Sequence, residues 1–276
     1  MSEFKATQYK VLIFDVYATL IDWETGLWEN LKPLLERIHS PLANSKNEAL
    51  SAFFSVESDL QARYPTMLYR DLLARAHAEL ARRLKGEPTH PETLDTINAA
   101  SGSTTGTSAP TNPSLDVEEQ EHIAFGQAIP SWPVFPDTIP ALHTLSTHYK
   151  LTVLSNVDKT SFSSTRHILE TSLPSHQFKF DAIYTAEEIG SYKPNVANFE
   201  YALRRIKEEF GVEREEVLVV AASLAHDHVP ANELGLGSVF VDRGAVSLNK
   251  DVSARYDAKF GSLGEFADEV RRQAGS

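Results

Sequence analysis

The sequence predicts an α/β protein: a doubly wound parallel sheet whose chain is interrupted by a helical insertion. Three observations carry that prediction. A run of four apolar residues, Val11 to Phe14, stands near the N-terminus with an acid directly after it. From about residue 150 onward strand and helix patterns alternate, as they do where parallel strands are joined by right-handed crossovers. Between these parts, residues 23–130 carry helical periodicity with no intervening strand.

The first run reads as a strand buried on both faces. Asp15 then stands at its C-terminal end, the edge at which open α/β sheets bind ligands. Thr19 follows four residues later, within reach of a group beside Asp15 after a tight turn. Leu27, Leu31, Leu34 or Leu35 and Ile38 recur at helical spacing until Pro41 ends the pattern. A second helix is expected over 47–63 (Leu50, Phe53, Phe54, Leu60) and a third over 67–84 (Leu68, Leu72, Ala76, Leu80). Trp23 and Trp28 are expected to pack between the insertion and the sheet. Residues 98–114, rich in Ser, Thr, Gly and Pro, are expected to form a flexible loop. A weak helical pattern over 117–125 precedes Pro130, Pro133, Pro136 and Pro140, which mark a rigid return to the sheet. There the spacing predicts a strand over 150–156, a helix over 161–170 and a strand over 182–185. A helix after Pro194 carries Phe199, Leu203, Ile206 and Phe210 on one face. Strands over 217–221 and 238–241 follow, separated by a helix that Gly235 terminates. The division expected is a Rossmann-like core from 1–22 and 131–276, with a helical domain over 23–130.

Composition narrows the function classes. With 42% apolar and 23% charged residues in 276, the chain can bury a sizeable core, which excludes disorder throughout. A net charge of −12 argues against nucleic acid or an anionic membrane as partner, since both are bound chiefly through Lys and Arg. The absence of Cys excludes a disulfide, a thiol nucleophile and a zinc–thiolate site. The polar first ten residues have no signal-peptide core, and no apolar run approaches the roughly 18 residues of a membrane span, so a cytoplasmic location is expected.

Each later strand ends in something polar: Ser155-Asn156 after the second, Lys193-Pro194 beyond the third, and Ser223-Leu-Ala-His226-Asp227 after the fourth. Singly these are a turn, a surface lysine and a helix cap. Together they place an acid, a hydroxyl and amide pair, an ammonium and a second acid at one crevice. His226, Asp227 and His228 could be read as a metal site, but residues two apart do not share a helix face. His226 is instead a candidate for activating water.

The ordered series Phe-Asp15-Val-Tyr17-Ala-Thr19, Ser155-Asn156, Lys193-Pro194 and Ser223-Leu-Ala-His226-Asp227 resembles the four motifs of the haloacid dehalogenase superfamily, and the insertion stands where that superfamily carries its cap domain. Phosphatases of the superfamily have a second acid where this chain has Tyr17, and usually an acid holding magnesium where it has Ala222. Tyrosine, with a pKa of about 10, is a poor acid at neutral pH, and alanine cannot ligate a metal. The resemblance is therefore to the 2-haloacid dehalogenases and implies no metal or organic cofactor. It implies that Asp15 displaces halide from the carbon next to a carboxylate, forming an ester that water cleaves. Lys193 would keep Asp15 ionised, and Asp227 would orient Lys193 or assist the water. Tyr17, Thr19, Ser155, Asn156, Ser223 and His226 would surround the small carboxylate substrate. Three positions depart from the pattern. The cap arginine that draws off halide has Arg37, Lys46, Arg63 and Arg70 as candidates, a family tyrosine is Phe199, and a family asparagine is Leu224. A phosphatase or other hydrolase, or a non-catalytic binding protein, remain as alternative functions, and a homodimer is expected by analogy alone.

Overall fold

A computed structural model of the chain describes residues 4–87, 117–244, 249 and 252–275. The loop expected over 98–114 lies outside them. Two compact units are present, Met1–Thr25 with Trp132–Ser276, and Gly26–Ser131.

In the first unit six strands form one parallel sheet: β1 (Val11–Phe14), β2 (Lys150–Ser155), β3 (Ala182–Thr185), β4 (Val217–Ala221), β5 (Gly237–Val241) and β6 (Ala258–Phe260), in the order β3-β2-β1-β4-β5-β6. Strand β1 is central because its four residues are apolar on both faces. Val11, Leu12, Ile13 and Phe14 are all buried, and Phe14 pairs with Val153 on one side and Val220 on the other. Side chains alternate between faces, so Val11, Ile13, Val217, Val219 and Ala221 share one core layer with Leu154, Tyr184, Phe199, Ala202 and Ile206. Since the strand order reverses direction at β1, right-handed crossovers lay helices on both faces and open a crevice at the C-terminal ends.

Among the elements of this unit that the sequence does not announce, three shape it. A helix over Thr138–Ser146 stands where the prolines marked only a return, because Pro140 occupies its first turn, where no backbone N–H is needed. Strand β6 is partly exposed and only three residues long. The last helix, Leu263–Ala274, buries Leu263, Phe266, Ala267 and Val270 after the Ser262 side chain caps Glu265 N–H.

The second unit comprises most of α1 (Trp23–Arg37), with α2 (Lys46–Arg63), α3 (Tyr69–Lys85) and α4 (Val117–Gly126). Helix α4 ends tight against α3: a Cβ on Gly126 would come within 2.1 Å of the Arg70 carbonyl oxygen, so only glycine fits. Phe125 packs on Phe53 and stacks on His77. Polar groups interrupt this core, among them a histidine pair and a glutamate. His77 and His122 meet through their Nδ1 atoms at 2.7 Å. Glu57 accepts from the Tyr69 hydroxyl at 2.9 Å and from Gln61, while its Oε2 is buried without a partner. Among the described residues no helix is long and apolar enough to cross a membrane.

Candidate active site

Four segments of the first unit meet at the C-terminal edge of the sheet. Asp15 is the first residue beyond β1, its N–H still bonded to Val220 O at 3.2 Å. The chain then turns sharply through Ala18, which holds a left-handed φ of 80°, a conformation that costs a non-glycine residue about 1–3 kcal/mol. That turn carries Thr19 back to Asp15. Its hydroxyl donates to Asp15 Oδ2 at 2.6 Å and accepts from the Ala222 N–H at 2.9 Å, joining the end of β1 to the end of β4.

Lys193 supplies the ammonium. It is 2% exposed, and its three hydrogens go to Asp15 Oδ1 at 2.8 Å, Asp227 Oδ1 at 2.7 Å and Leu154 O at 2.9 Å. Burial alone would discharge a lysine, but the two carboxylates outweigh it and hold Lys193 above its ordinary value. Asp227 moves upward: burial raises it, and Asp15 competes with it for one ammonium. The second oxygen of Asp227 and the hydroxyl of Ser155 are buried without hydrogen-bond partners.

Asn156, expected to hold substrate, has its amide on the Lys193 backbone. Its Oδ1 accepts from the Lys193 N–H at 2.6 Å and its Nδ2 donates to the Lys193 carbonyl at 2.9 Å, so the amide clasps the backbone at the cis Lys193–Pro194 peptide. Thr19 is likewise committed to protein groups. Tyr17 is partly exposed, with its hydroxyl 3.0 Å from Thr165 Oγ1 and its ring edge-on to Trp132 at 5.4 Å. Burial pushes the Tyr17 hydroxyl well above the ordinary tyrosine value. Phe199 lies in the core and is fully buried.

The fourth segment is a π-helical turn, Leu224–His228. Its three neighbouring ionisable side chains take three different partners. His226 Nδ1 lies 3.3 Å from Ser223 Oγ, Asp227 meets Lys193, and His228 is buried between Ser238 Oγ at 2.9 Å and the Ala221 carbonyl at 3.1 Å. They do not converge on a metal.

Two supporting residues escaped the sequence reading. Arg243, just past β5, donates to the Thr19 carbonyl at 3.0 Å and to Asp137 at 2.7 Å, with its guanidinium 4.1 Å over the Phe135 ring. The rule that flagged the other strand ends applies to it equally. Asn249 accepts from Leu224 N–H at 2.7 Å and donates to Ala222 O at 2.9 Å, stapling the fourth segment. No sequence pattern marks it.

The family model of the haloacid dehalogenase-like hydrolases matches residues 9–227, a span that holds Asp15, Ser155, Asn156, Lys193 and Asp227. The chain belongs to this family. Solved structures similar to this haloacid dehalogenase-like hydrolase include the HAD-hydrolase YfnB from Bacillus subtilis bound to magnesium (18% identity, 95% of this chain and 99% of that one, TM-score 0.63). Another is the L-2-haloacid dehalogenase from Xanthobacter autotrophicus with chloropropionic acid covalently bound (18%, 95% and 98%, TM-score 0.62). At these identities the likeness is one of fold. A curated relative, the glyceraldehyde 3-phosphate phosphatase of Methanocaldococcus jannaschii, is 34% identical over 96 residues, 35% of this chain and 40% of its own length. The corresponding enzyme of Methanothermobacter thermautotrophicus is 30% identical over 118 residues, 42% and 48%. The chain thus spans less than half the length of the curated relatives it matches.

Magnesium asks for near-octahedral oxygen ligation, usually with one or two carboxylates. Here each of the two acids already has an oxygen on Lys193, Ala222 adds no ligand, and no cluster of three metal-binding side chains occurs among the described residues. Lys193 therefore competes with a divalent cation for both acids.

Proposed function

We propose that this hydrolase works without metal through an ester on Asp15, on small carboxylates carrying a halogen, in the manner of a 2-haloacid dehalogenase. The observation that carries the reading is the fixed carboxylate: Asp15 is held by Lys193 on one oxygen and Thr19 on the other, at a sheet edge where nucleophiles are delivered. An Asp15 oxygen forms the bond to carbon as the carbon–halogen bond breaks, and halide leaves with the electron pair. Halide needs no proton to depart. Tyr17, held far above the range in which it could give one, is therefore no handicap. Ser155, with its unpartnered hydroxyl, is the nearest candidate to meet the substrate carboxylate, and Asp227 orients Lys193.

A phosphatase is the second reading, favoured by the curated relatives. It requires a donor for an alkoxide leaving group, which Tyr17 supplies poorly. Halide release from both enantiomers of 2-chloropropionate in EDTA, beside phosphate release from an aryl phosphate with magnesium, separates the two. Halide from one enantiomer is expected, falling by roughly 10³-fold or more in Asp15→Asn. Magnesium-dependent phosphate release without halide would overturn the dehalogenase reading.

A further inference from the structure

The Asp15 carboxylate is aimed by a residue on each oxygen, Lys193 on Oδ1 and Thr19 on Oδ2. Thr19 can do this only while the turn that carries it keeps its shape. That turn folds its own amides inward: the N–H groups of Thr19, Leu20 and Ile21 all donate to the Val16 carbonyl, at 3.2, 2.7 and 3.0 Å. The carbonyls of Thr19 and Leu20 are thereby left for donors from elsewhere in the fold. Leu20 O has two, the Thr138 hydroxyl at 2.9 Å and the Phe135 N–H at 3.3 Å. Among the described residues Thr19 O has one, Arg243 Nε at 3.0 Å. Thr19 is fully buried, so water cannot replace that donor unless the turn opens. Arg243 is fixed on its other side as well. Its Nη1 donates to Asp137 Oδ1 at 2.7 Å, its Nη2 lies 3.5 Å from Thr138 Oγ1, and the side chain is 6% exposed. Asp137 Oδ2 in turn accepts the Gly264 N–H at 3.1 Å.

We infer that Arg243 is a positioning residue for the nucleophile: its hold on the Thr19 carbonyl keeps the Thr19 hydroxyl on Asp15 Oδ2. The inference rests on Asp15 acting as proposed above. Arg243 works through Thr19 rather than on substrate. A left-handed alanine persists only where its surroundings over-determine it, and at Ala18 those surroundings come from two neighbouring strands. The Ala222 N–H at the end of β4 meets the Thr19 hydroxyl, and Arg243 beyond β5 meets the Thr19 carbonyl. Without Arg243 a buried carbonyl stands unpaired, and the turn moves to satisfy it. The hydroxyl then leaves Oδ2, and the carboxylate can rotate while Lys193 still holds Oδ1. Attack on carbon slows because the attacking oxygen is no longer held in line with the carbon–halogen bond. Substrate binding, in which Arg243 takes no part, is little changed. Lysine does not substitute, since one ammonium cannot serve the carbonyl and the carboxylate as a planar fork does.

The test uses the full chain with 2-chloropropionate, comparing wild type, Arg243→Lys, Arg243→Met, Thr19→Val and the two double variants. Each Arg243 substitution is expected to lower kcat for halide release by about 10- to 10²-fold with KM near the wild-type value. In the Thr19→Val background the same substitutions lower kcat no further, because the contact through which Arg243 acts is already gone. A merely structural role would lower it equally in both backgrounds. A second readout needs no substrate. By NMR, hydrogen exchange at the Ala222 amide should quicken in Thr19→Val and in both Arg243 variants, while the Val219 amide of the same strand keeps its protection. Arg243→Lys, which retains a charge beside Asp137, serves if Arg243→Met does not fold. Wild-type kcat in the Arg243 variants, an undiminished fall in the Thr19→Val background, a KM rise at constant kcat or an unaltered Ala222 amide overturns the inference. A wild type that releases no halide overturns the dehalogenase reading instead, and the amide exchange still decides whether Arg243 holds Thr19.

Discussion

At the scale of the residue, the site is a ledger of charge around Lys193. Removing the ammonium leaves two buried carboxylates with nothing between them, and breaking a buried ion pair in this way costs about 3–5 kcal/mol. Lys193→Met is therefore expected to lose that much stability at pH 8 in urea titrations. Part of the loss should return at pH 5, since a carboxyl raised in the folded state favours folding below its unfolded pKa and loses that contribution as pH rises. A variant equally unstable at both pH values would contradict the pairing. Asp15, Lys193 and Asp227 could be read because polar residues follow successive apolar runs of one parallel sheet, whose C-terminal ends gather them at one crevice. The part played by Asn156 could not. An amide that clasps the Lys193 backbone and one that faces a substrate look the same in a string of letters, and only the 2.6 and 2.9 Å bonds separate them.

At the scale of the element, the helices of the second unit were plain from their apolar stripes, while the charged residues lying on those stripes were not. Glu57 falls seven residues after Leu50 and three before Leu60, on the same buried face. Its charge hides this from a periodicity count. Burial pushes Glu57 up to about 7, with the Tyr69 hydroxyl only partly opposing. Its folded pKa thus exceeds the unfolded value, and the stability it contributes below pH 4.5 is lost as pH rises through 7. Glu57→Gln is expected to stabilise the protein at pH 8 by on the order of 1–3 kcal/mol and to leave it nearly unchanged at pH 4, measured as a shift in Tm at each pH. His77 works in the opposite sense. Burial first, then His122 and Arg37, depress it to about 3, so its contribution is complete above pH 6.5 and drains away as pH falls. The C-terminal helix went unread for another reason: its stripe is regular, but strand β6 before it is too short and too exposed to signal that the sheet continues.

At the scale of the whole molecule, the sheet and its helical insertion were legible because alternation of strand and helix admits few topologies. The apolar stripe put Phe199 on one face of its helix, and the assembled fold shows what it packs against. It lies in the core layer with Ile13, Leu154 and Val219 and is fully buried. Phe199→Ala should cost about 3–5 kcal/mol in denaturant titrations, while Phe199→Leu should cost much less. Equal and small effects would mean the layer is loosely packed there. The central place of β1 also bears on how the protein is made. Val11 pairs with Lys150 and with Val217, so the first strand to leave the ribosome is flanked by two that are synthesised much later. At about 5–20 residues per second, its four apolar residues wait on the order of ten to forty seconds for both neighbours. Transiently exposed apolar surface and unpaired strand edges are prone to aggregation, so slowing synthesis before β4 emerges is expected to lower the yield of folded protein.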